Sequence, residues 1–291
     1  MRYLDYSSLL SGEPAHLALF STFQFDPDYF ERRLLKCAAL SKARRIAVFM
    51  DAVQWHRLLQ RDVPAWRMNR RYLVVPVRRN EGVFHPKLNL ILTEGGGQLQ
   101  CGSNNLTRSG CASNLELLNT LPFEFGVEED STAVELAGQA LNFFRQAAHH
   151  TDEAVSRIAG GWIQEAEKVY PWPKTSQGER GIELLHSFEG PILDRIIESL
   201  NGDDPQAVFV VSPFHDGDGR LCRKLAEQWP QAKVEMLVQQ GYTTLPVAPL
   251  KNLTGFSLSE IRVSSRRVHA KLLAWKGESS NGCVVGSANF T

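Results

Sequence analysis

Apolar residues along the chain fall into short runs of strand length, separated by stretches with helical spacing. The run Leu17-Ala18-Leu19-Phe20-Ser21-Thr22-Phe23 predicts a buried strand. A helix is expected next, with Asp26 as cap, Pro27 at its first position, and Phe30, Leu34, Leu35 and Ala38 on one face. Ile46 to Met50 predicts a second strand, Asp51 a cap for a helix through Leu59, and Tyr72 to Val77 a third strand. The same order returns with a strand at Ala207 to Val211, a helix at Arg220 to Trp229 and a strand at Val234 to Val238. Strand and helix in alternation, twice over, predict an α/β protein of two lobes with largely buried, mixed sheets.

Between the two series the rhythm changes. Ala133 to Ala148 and Glu153 to Lys168 carry helix formers at helical spacing, separated by His149-His150-Thr151-Asp152, where Thr151 or Asp152 can cap the second helix. Tyr170-Pro171-Trp172-Pro173-Lys174 and Ser176-Gln177-Gly178 are turn-rich and predict a lobe boundary, and Leu184 to Leu200 lead into the second lobe. The expected organisation is an N-terminal lobe over 1–125, a helical connector over 126–175 and a C-terminal lobe over 176–291.

Composition narrows the class. With 43% apolar and 22% charged residues in 291, the chain is long enough for two lobes with cores of their own. It has neither a signal-like start nor an apolar run near the roughly 20 residues of a membrane helix. A cytoplasmic protein without a membrane partner is therefore expected. The five cysteines are odd in number and never spaced C-x-x-C, so they read as small buried hydrophobes rather than disulfides or zinc ligands. His149-His150 has no companion ligand at metal spacing and reads as an exposed pair between helices.

Net charge is zero, yet the charges are segregated. Between Leu121 and Gln206 stand 16 Asp and Glu against 6 Lys and Arg, a balance of −10, which leaves +10 for the remainder. Arg67, Arg70, Arg71, Arg78 and Arg79 precede one histidine of interest, and Arg262, Arg266 and Arg267 precede another. Such clusters attract a polyanion whatever the global charge, and Arg78, Arg79, Arg266 and Arg267 are the candidate nucleic-acid contacts.

Those histidines head one pattern that occurs twice, H-x-K-x14-G-S-x-N. The first copy runs from His85 and Lys87 to Gly102, Ser103 and Asn105, and the second from His269 and Lys271 to Gly286, Ser287 and Asn289. The spacing is identical, since 102 − 85 = 286 − 269 = 17. A duplicated fold explains it. In a strand, alternate residues share a face, so each His is expected beside its Lys while Leu88, Leu90 and Leu92 turn to the core. The Ser and Asn of each copy follow on a loop and suit the non-bridging oxygens of a phosphate. If the lobes face each other, the set offers one imidazole as nucleophile and another as general acid, with no metal or other cofactor needed.

At these residues the chain resembles the phospholipase D superfamily, whose HKD-type motif is recognisable in both copies. The resemblance implies a pseudo-dimeric fold with the active site between the lobes, and a phosphodiesterase working through a covalent phosphohistidine. It implies His85 as nucleophile and His269 as acid, with Lys87, Lys271, Asn105 and Asn289 holding the phosphate alongside Ser103 and Ser287. The family's N-x-E sequence is matched by Asn114-Leu115-Glu116, which implies a hydrogen bond from Glu116 to His85. The motif's Asp is replaced by Leu92 and Lys276, a departure shared with tyrosyl-DNA phosphodiesterases, which look similar here. The sequence stops at Asn289-Phe290-Thr291, inside the second motif, and reads as truncated.

The expected function is a metal-independent phosphodiesterase acting on nucleic acid, as a nuclease or a DNA-end-processing enzyme. Three alternatives stand beside it. A phospholipase or phosphatidyltransferase would use the same site, although the chain lacks an amphipathic membrane-binding segment. A nuclease module of a bacterial defence or restriction system would work with a helicase or ATPase partner or an additional C-terminal domain. A non-catalytic nucleic-acid-binding module would leave the complete His-Lys-Asn sets without a purpose.

Overall fold

In the computed structural model, residues 5–61, 63–173, 181–200, 204–251, 253–263, 265–279 and 281–289 are described. The chain divides into two compact units. The first comprises Met1–Cys101, Asn105–Ala112 and Asn119–Gly190, and the second Gly102–Asn104, Ser113–Leu118 and Pro191–Thr291.

In the first unit β1 (Leu17–Thr22) leads to α1 (Pro27–Arg32), whose cap is Asp26, with its carboxylate accepting from the Tyr29 N–H at 3.0 Å. The single helix expected to run on to Ala38 is broken. A 3₁₀ turn at Leu34–Lys36 and α2 (Ala38–Ser41) follow instead, and the shift of register buries Leu34, Leu35, Ala39 and Leu40 while leaving Ala38 exposed. Then come β2 (Arg45–Asp51), α3 (Ala52–Leu59), β3 (Leu73–Val77), β4 (Leu88–Leu92), β5 (Gly96–Gly102) and β6 (Leu118–Glu124). Their order in the sheet is β3-β2-β1-β4-β5-β6. β1, β2 and β3 are parallel, while β4 runs antiparallel to β1 and β5 to β4.

This sheet is covered on both faces, which is why β1 is buried along its whole length and reads as an unbroken apolar run. On one face Leu17, Leu19, Phe49, Leu88, Leu90 and Leu92 join a core with α4 (Ser131–Ala148) and α5 (Glu153–Val169). The other face carries Phe20 against Phe30, with Phe25 and Tyr72 in the same aromatic group. The two long helices thus belong to the first unit, with Leu141, Phe144 and Ile163 fully or nearly fully buried. Asp152 is the cap residue of α5. Of the turn-rich boundary, residues 174–180 lie outside the described residues.

The second unit begins with α6 (Ile192–Leu200) and continues through β7 (Ala207–Val211), α7 (Arg220–Gln228), β8 (Lys233–Val238), α8 (Val247–Leu250), β9 (Phe256–Glu260), β10 (Leu272–Lys276) and β11 (Asn281–Val285). Its sheet has the order β11-β10-β7-β8-β9. β7, β8 and β9 are parallel, and β10 and β11 each run antiparallel to the preceding neighbour. Exchanging β1–β5 for β7, β8, β9, β10 and β11 reproduces the order of the first sheet, so the doubled motif sits on a doubled topology. β6 has no counterpart among the described residues. Cys111 and Cys222 are buried as expected, but Cys283 is exposed and Cys37 and Cys101 are intermediate. Among the described residues no helix is long and apolar enough to cross a membrane.

Candidate active site

Both His-Lys pairs lie on the irregular lead-in to a strand rather than in the strand itself, since β4 starts at Leu88 and β10 at Leu272. The shared face survives the correction. In the first unit the Lys87 ammonium is 2.8 Å from His85 Nδ1 and 3.2 Å from Nε2, and donates to the His85 carbonyl at 2.8 Å. In the second the Lys271 ammonium is 3.1 and 3.0 Å from the two ring nitrogens of His269 and donates to the His269 carbonyl at 2.7 Å. Each Lys is thus folded back over its own His. Both lysines are buried, at 2% and 3% exposure, in places where a cation is costly without an anion beside it. Burial pulls the Lys271 ammonium down to about 7, against the opposing pull of Glu116.

The surroundings of each pair follow from the local chain. His85 packs against the Phe23 ring at 4.8 Å, just past the end of β1. The loop before it is tied down by Asp51, one of whose oxygens caps α3 through the N–H groups of Val53 and Gln54 while the other accepts from the Phe84 N–H at 3.0 Å. Asn105 is held through its Oδ1, which accepts from the N–H groups of Phe23 and Gln24 at 3.2 Å each, leaving the amide NH₂ as its donor. Gly110 is required here: a Cβ would come within 2.3 Å of the Asn105 carbonyl oxygen.

Glu116 corrects the sequence expectation. Its carboxylate lies 2.9 and 3.0 Å from His269 Nδ1, not on His85. The reason is backbone pairing, because residues 113–118 belong to the second unit. Leu115 bridges Val268, with its N–H on the Arg267 carbonyl at 2.8 Å and its carbonyl accepting from the His269 N–H at 2.9 Å. The same carboxylate accepts from Ser103 Oγ at 2.5 Å and from the Asn114 amide at 3.1 Å. Ser103 is fully buried, and its Oγ also accepts from the Leu117 N–H at 3.0 Å. On the far side of the lead-in, the Gln239 side chain accepts from the Val268 N–H at 2.7 Å and donates to the Arg266 carbonyl at 2.8 Å. Gln239, Asp51 and Thr22, whose Oγ1 accepts from the Leu106 N–H at 3.0 Å, hold the motifs in place; no spacing rule singles out Gln239 or Thr22 in the sequence, and Asp51 stands out there only as a helix cap. In the second loop the Oδ1 of Asn289 is buried without a hydrogen-bond partner, and Ser287 is half-buried.

The arginines named as nucleic-acid contacts are engaged within their units. Arg78 forms an exposed ion pair with Asp152 at 3.1 Å, and the Arg79 guanidinium lies 4.8 Å over the Phe188 ring. Arg266 donates to the carbonyls of Ser113 and Asn114 at 2.7 and 2.6 Å, and Arg267 lies 5.3 Å over the Phe214 ring. The His150 ring stacks on Phe188 at 5.2 Å. Among the described residues no three His, Cys, Asp or Glu side chains are grouped as metal ligands.

No protein-family model and no curated protein sequence matches the chain. Solved structures do match in fold. Polyphosphate kinase from Porphyromonas gingivalis aligns with a TM-score of 0.53 at 14% identity, over 97% of this chain and 42% of the kinase. Yeast tyrosyl-DNA phosphodiesterase aligns with a TM-score of 0.53 at 12% identity, over 98% of this chain and 80% of that one. The chain therefore spans less than half the length of the kinase it matches. Both alignments show a likeness of fold. With this topology, repeated once in each unit, the chain has the phospholipase D-like fold.

Proposed function

We propose that the protein is a metal-independent phosphodiesterase acting on nucleic acid, as a nuclease or a DNA-end-processing enzyme. The observation that carries this reading is the pair of His-Lys sets, in each of which a buried ammonium is held about 3 Å from an imidazole. A buried ammonium set that close to an imidazole favours an anion beside it, and a phosphodiester supplies one. Lys87, Lys271, Asn105 and Asn289 then stabilise the charge that builds on the non-bridging oxygens.

His85 attacks phosphorus, and the P–O bond to the leaving group breaks as His269 delivers a proton to the departing oxygen. Water then attacks the phosphohistidine, the P–N bond breaks, and His269 takes the proton back from water. Glu116 supports this division of labour, because a carboxylate at Nδ1 steadies the protonated ring and directs the other nitrogen to proton transfer. Ser103 serves in this scheme by orienting Glu116, and Ser287 is its counterpart on the second loop. The DNA linkage in the name of the similar yeast enzyme supports a nucleic-acid substrate, as do the basic stretches before each motif.

The test is hydrolysis of a small chromogenic phosphodiester and of DNA, each with chelator present, by the native protein and by His85→Ala and His269→Ala. Each substitution should lower turnover by at least ~10³-fold, and denaturation in alkali, where the P–N bond survives, should trap substrate phosphorus on the native protein and none on His85→Ala. Full activity in either variant would place the chemistry elsewhere.

A further inference from the structure

The side chains of Arg78, Arg79, Arg266 and Arg267 are engaged within their units, but three in the loop between α3 and β3 are not. Arg61, Arg67 and Arg70 are exposed, and among the described residues none of them forms an ion pair or a side-chain hydrogen bond. In the same loop stands Trp66, at 78% exposure the most exposed large apolar side chain among the described residues. The loop sequence from Gln60 to Arg71 holds four arginines against a single acid, Asp62.

The loop is well anchored around that indole. Buried Glu31 accepts from the Arg67 N–H and from the Tyr72 hydroxyl, each at 3.0 Å. Asn69 takes the left-handed conformation, with φ 54°, and its side chain accepts from the Val74 N–H at 3.0 Å. Arg71 donates to the Leu40 carbonyl at 2.8 Å, and its N–H reaches the Arg67 carbonyl at 2.8 Å. These bonds fix the backbone beside Trp66 and leave the ring in water, where it forgoes the burial an indole usually gains.

We propose that this loop docks single-stranded nucleic acid, with an unpaired base stacked on Trp66 and the flanking phosphates on Arg61, Arg67 and Arg70. A flat aromatic ring set among guanidinium groups matches the alternation of base and phosphate along a strand. A duplex keeps its base faces stacked inside and offers the indole nothing. The proposal rests on the nucleic-acid reading above and names the form of substrate that reading takes.

Binding of a fluorescent 20-nucleotide oligothymidine and of a 20-base-pair duplex, by anisotropy at low salt, tests it. Trp66→Ala should weaken single-strand binding about tenfold or more, Trp66→Phe should retain most of it, and duplex binding should change little in either. Arg67→Glu with Arg70→Glu should weaken both, with a shallower salt dependence. Unaltered hydrolysis of the small diester certifies the fold of each variant. Equal binding by native protein and Trp66→Ala, with oligonucleotide cleavage intact, overturns the docking site and leaves the proposed function standing. Failure of the native protein to bind or cut any oligonucleotide while it hydrolyses the small diester overturns the nucleic-acid reading, and the docking site with it.

Discussion

A carboxylate that touches an imidazole acts through position and charge together, and Glu116 holds its place through Ser103, Asn114 and the strand-like pairing of Leu115 with Val268. Glu116→Gln keeps the shape and removes the charge. Small-diester turnover should fall about 10²-fold with little change in KM, and an unchanged rate would remove Glu116 from the machinery. Arg266 belongs to the same apparatus, since its guanidinium holds the carbonyls two and three residues before Glu116. Arg266→Glu should therefore slow hydrolysis of a small diester, which a purely nucleic-acid-binding arginine would not do. Lys271 adds a dependence on pH. Its pKa is lowered from 10.5 to about 7, so the unfolded chain binds the more protons between those values and the stability contribution rises with pH across that window. A bound anion favours the charged form, so sulfate, itself unchanged in charge, should bind more weakly as pH rises through about 7. Sulfate affinity that stays flat from pH 6 to 9, by thermal shift, would show that this ammonium does not face the anion.

At the scale of elements, the motif residues sit where strands begin and end, and short polar links from neighbouring elements hold them. Asp51 joins β2, the first turn of α3 and the lead-in to His85 through three N–H groups. Asp51→Ala removes a cap worth about 1 kcal/mol and strands the Phe84 N–H, for a loss of about 2 kcal/mol or more in denaturant unfolding. Most of these elements are legible in the sequence because their cause is local. The run Leu17 to Thr22 is apolar throughout since both faces of β1 are covered, and Asp26-Pro27 marks a helix start in any context. The break after Arg32 is not legible, because Phe30, Leu34, Leu35 and Ala38 satisfy helical spacing while the surrounding core demands Ala39 and Leu40 instead.

For the whole molecule, charge and chemistry separate cleanly. The acidic excess falls largely on the stretch that includes α4 and α5, and the basic excess on the stretches that carry the motifs. Oligonucleotide affinity should therefore fall steeply with added salt, in proportion to the number of phosphates engaged, while small-diester turnover barely responds. Activity should survive EDTA, since in the proposed mechanism the lysines and asparagines supply the charge stabilisation a metal would otherwise provide. A strict requirement for Mg²⁺ would count against the proposed mechanism.

The repeated motif and the α/β class were readable from the sequence, because spacing along one chain records which groups recur together. The partner of Glu116 was not. Its place eleven residues after Asn105 suggests a service to His85, yet backbone pairing with Val268 carries it to His269. The arginines show the same limit. Sequence counts their charges, but only tertiary structure decides that Arg266 clamps two carbonyls while Arg67 and Arg70 stay exposed beside Trp66. A guanidinium goes to whichever acceptor the fold brings within 3 Å, and that distance is set by contacts between residues as far apart as 114 and 266.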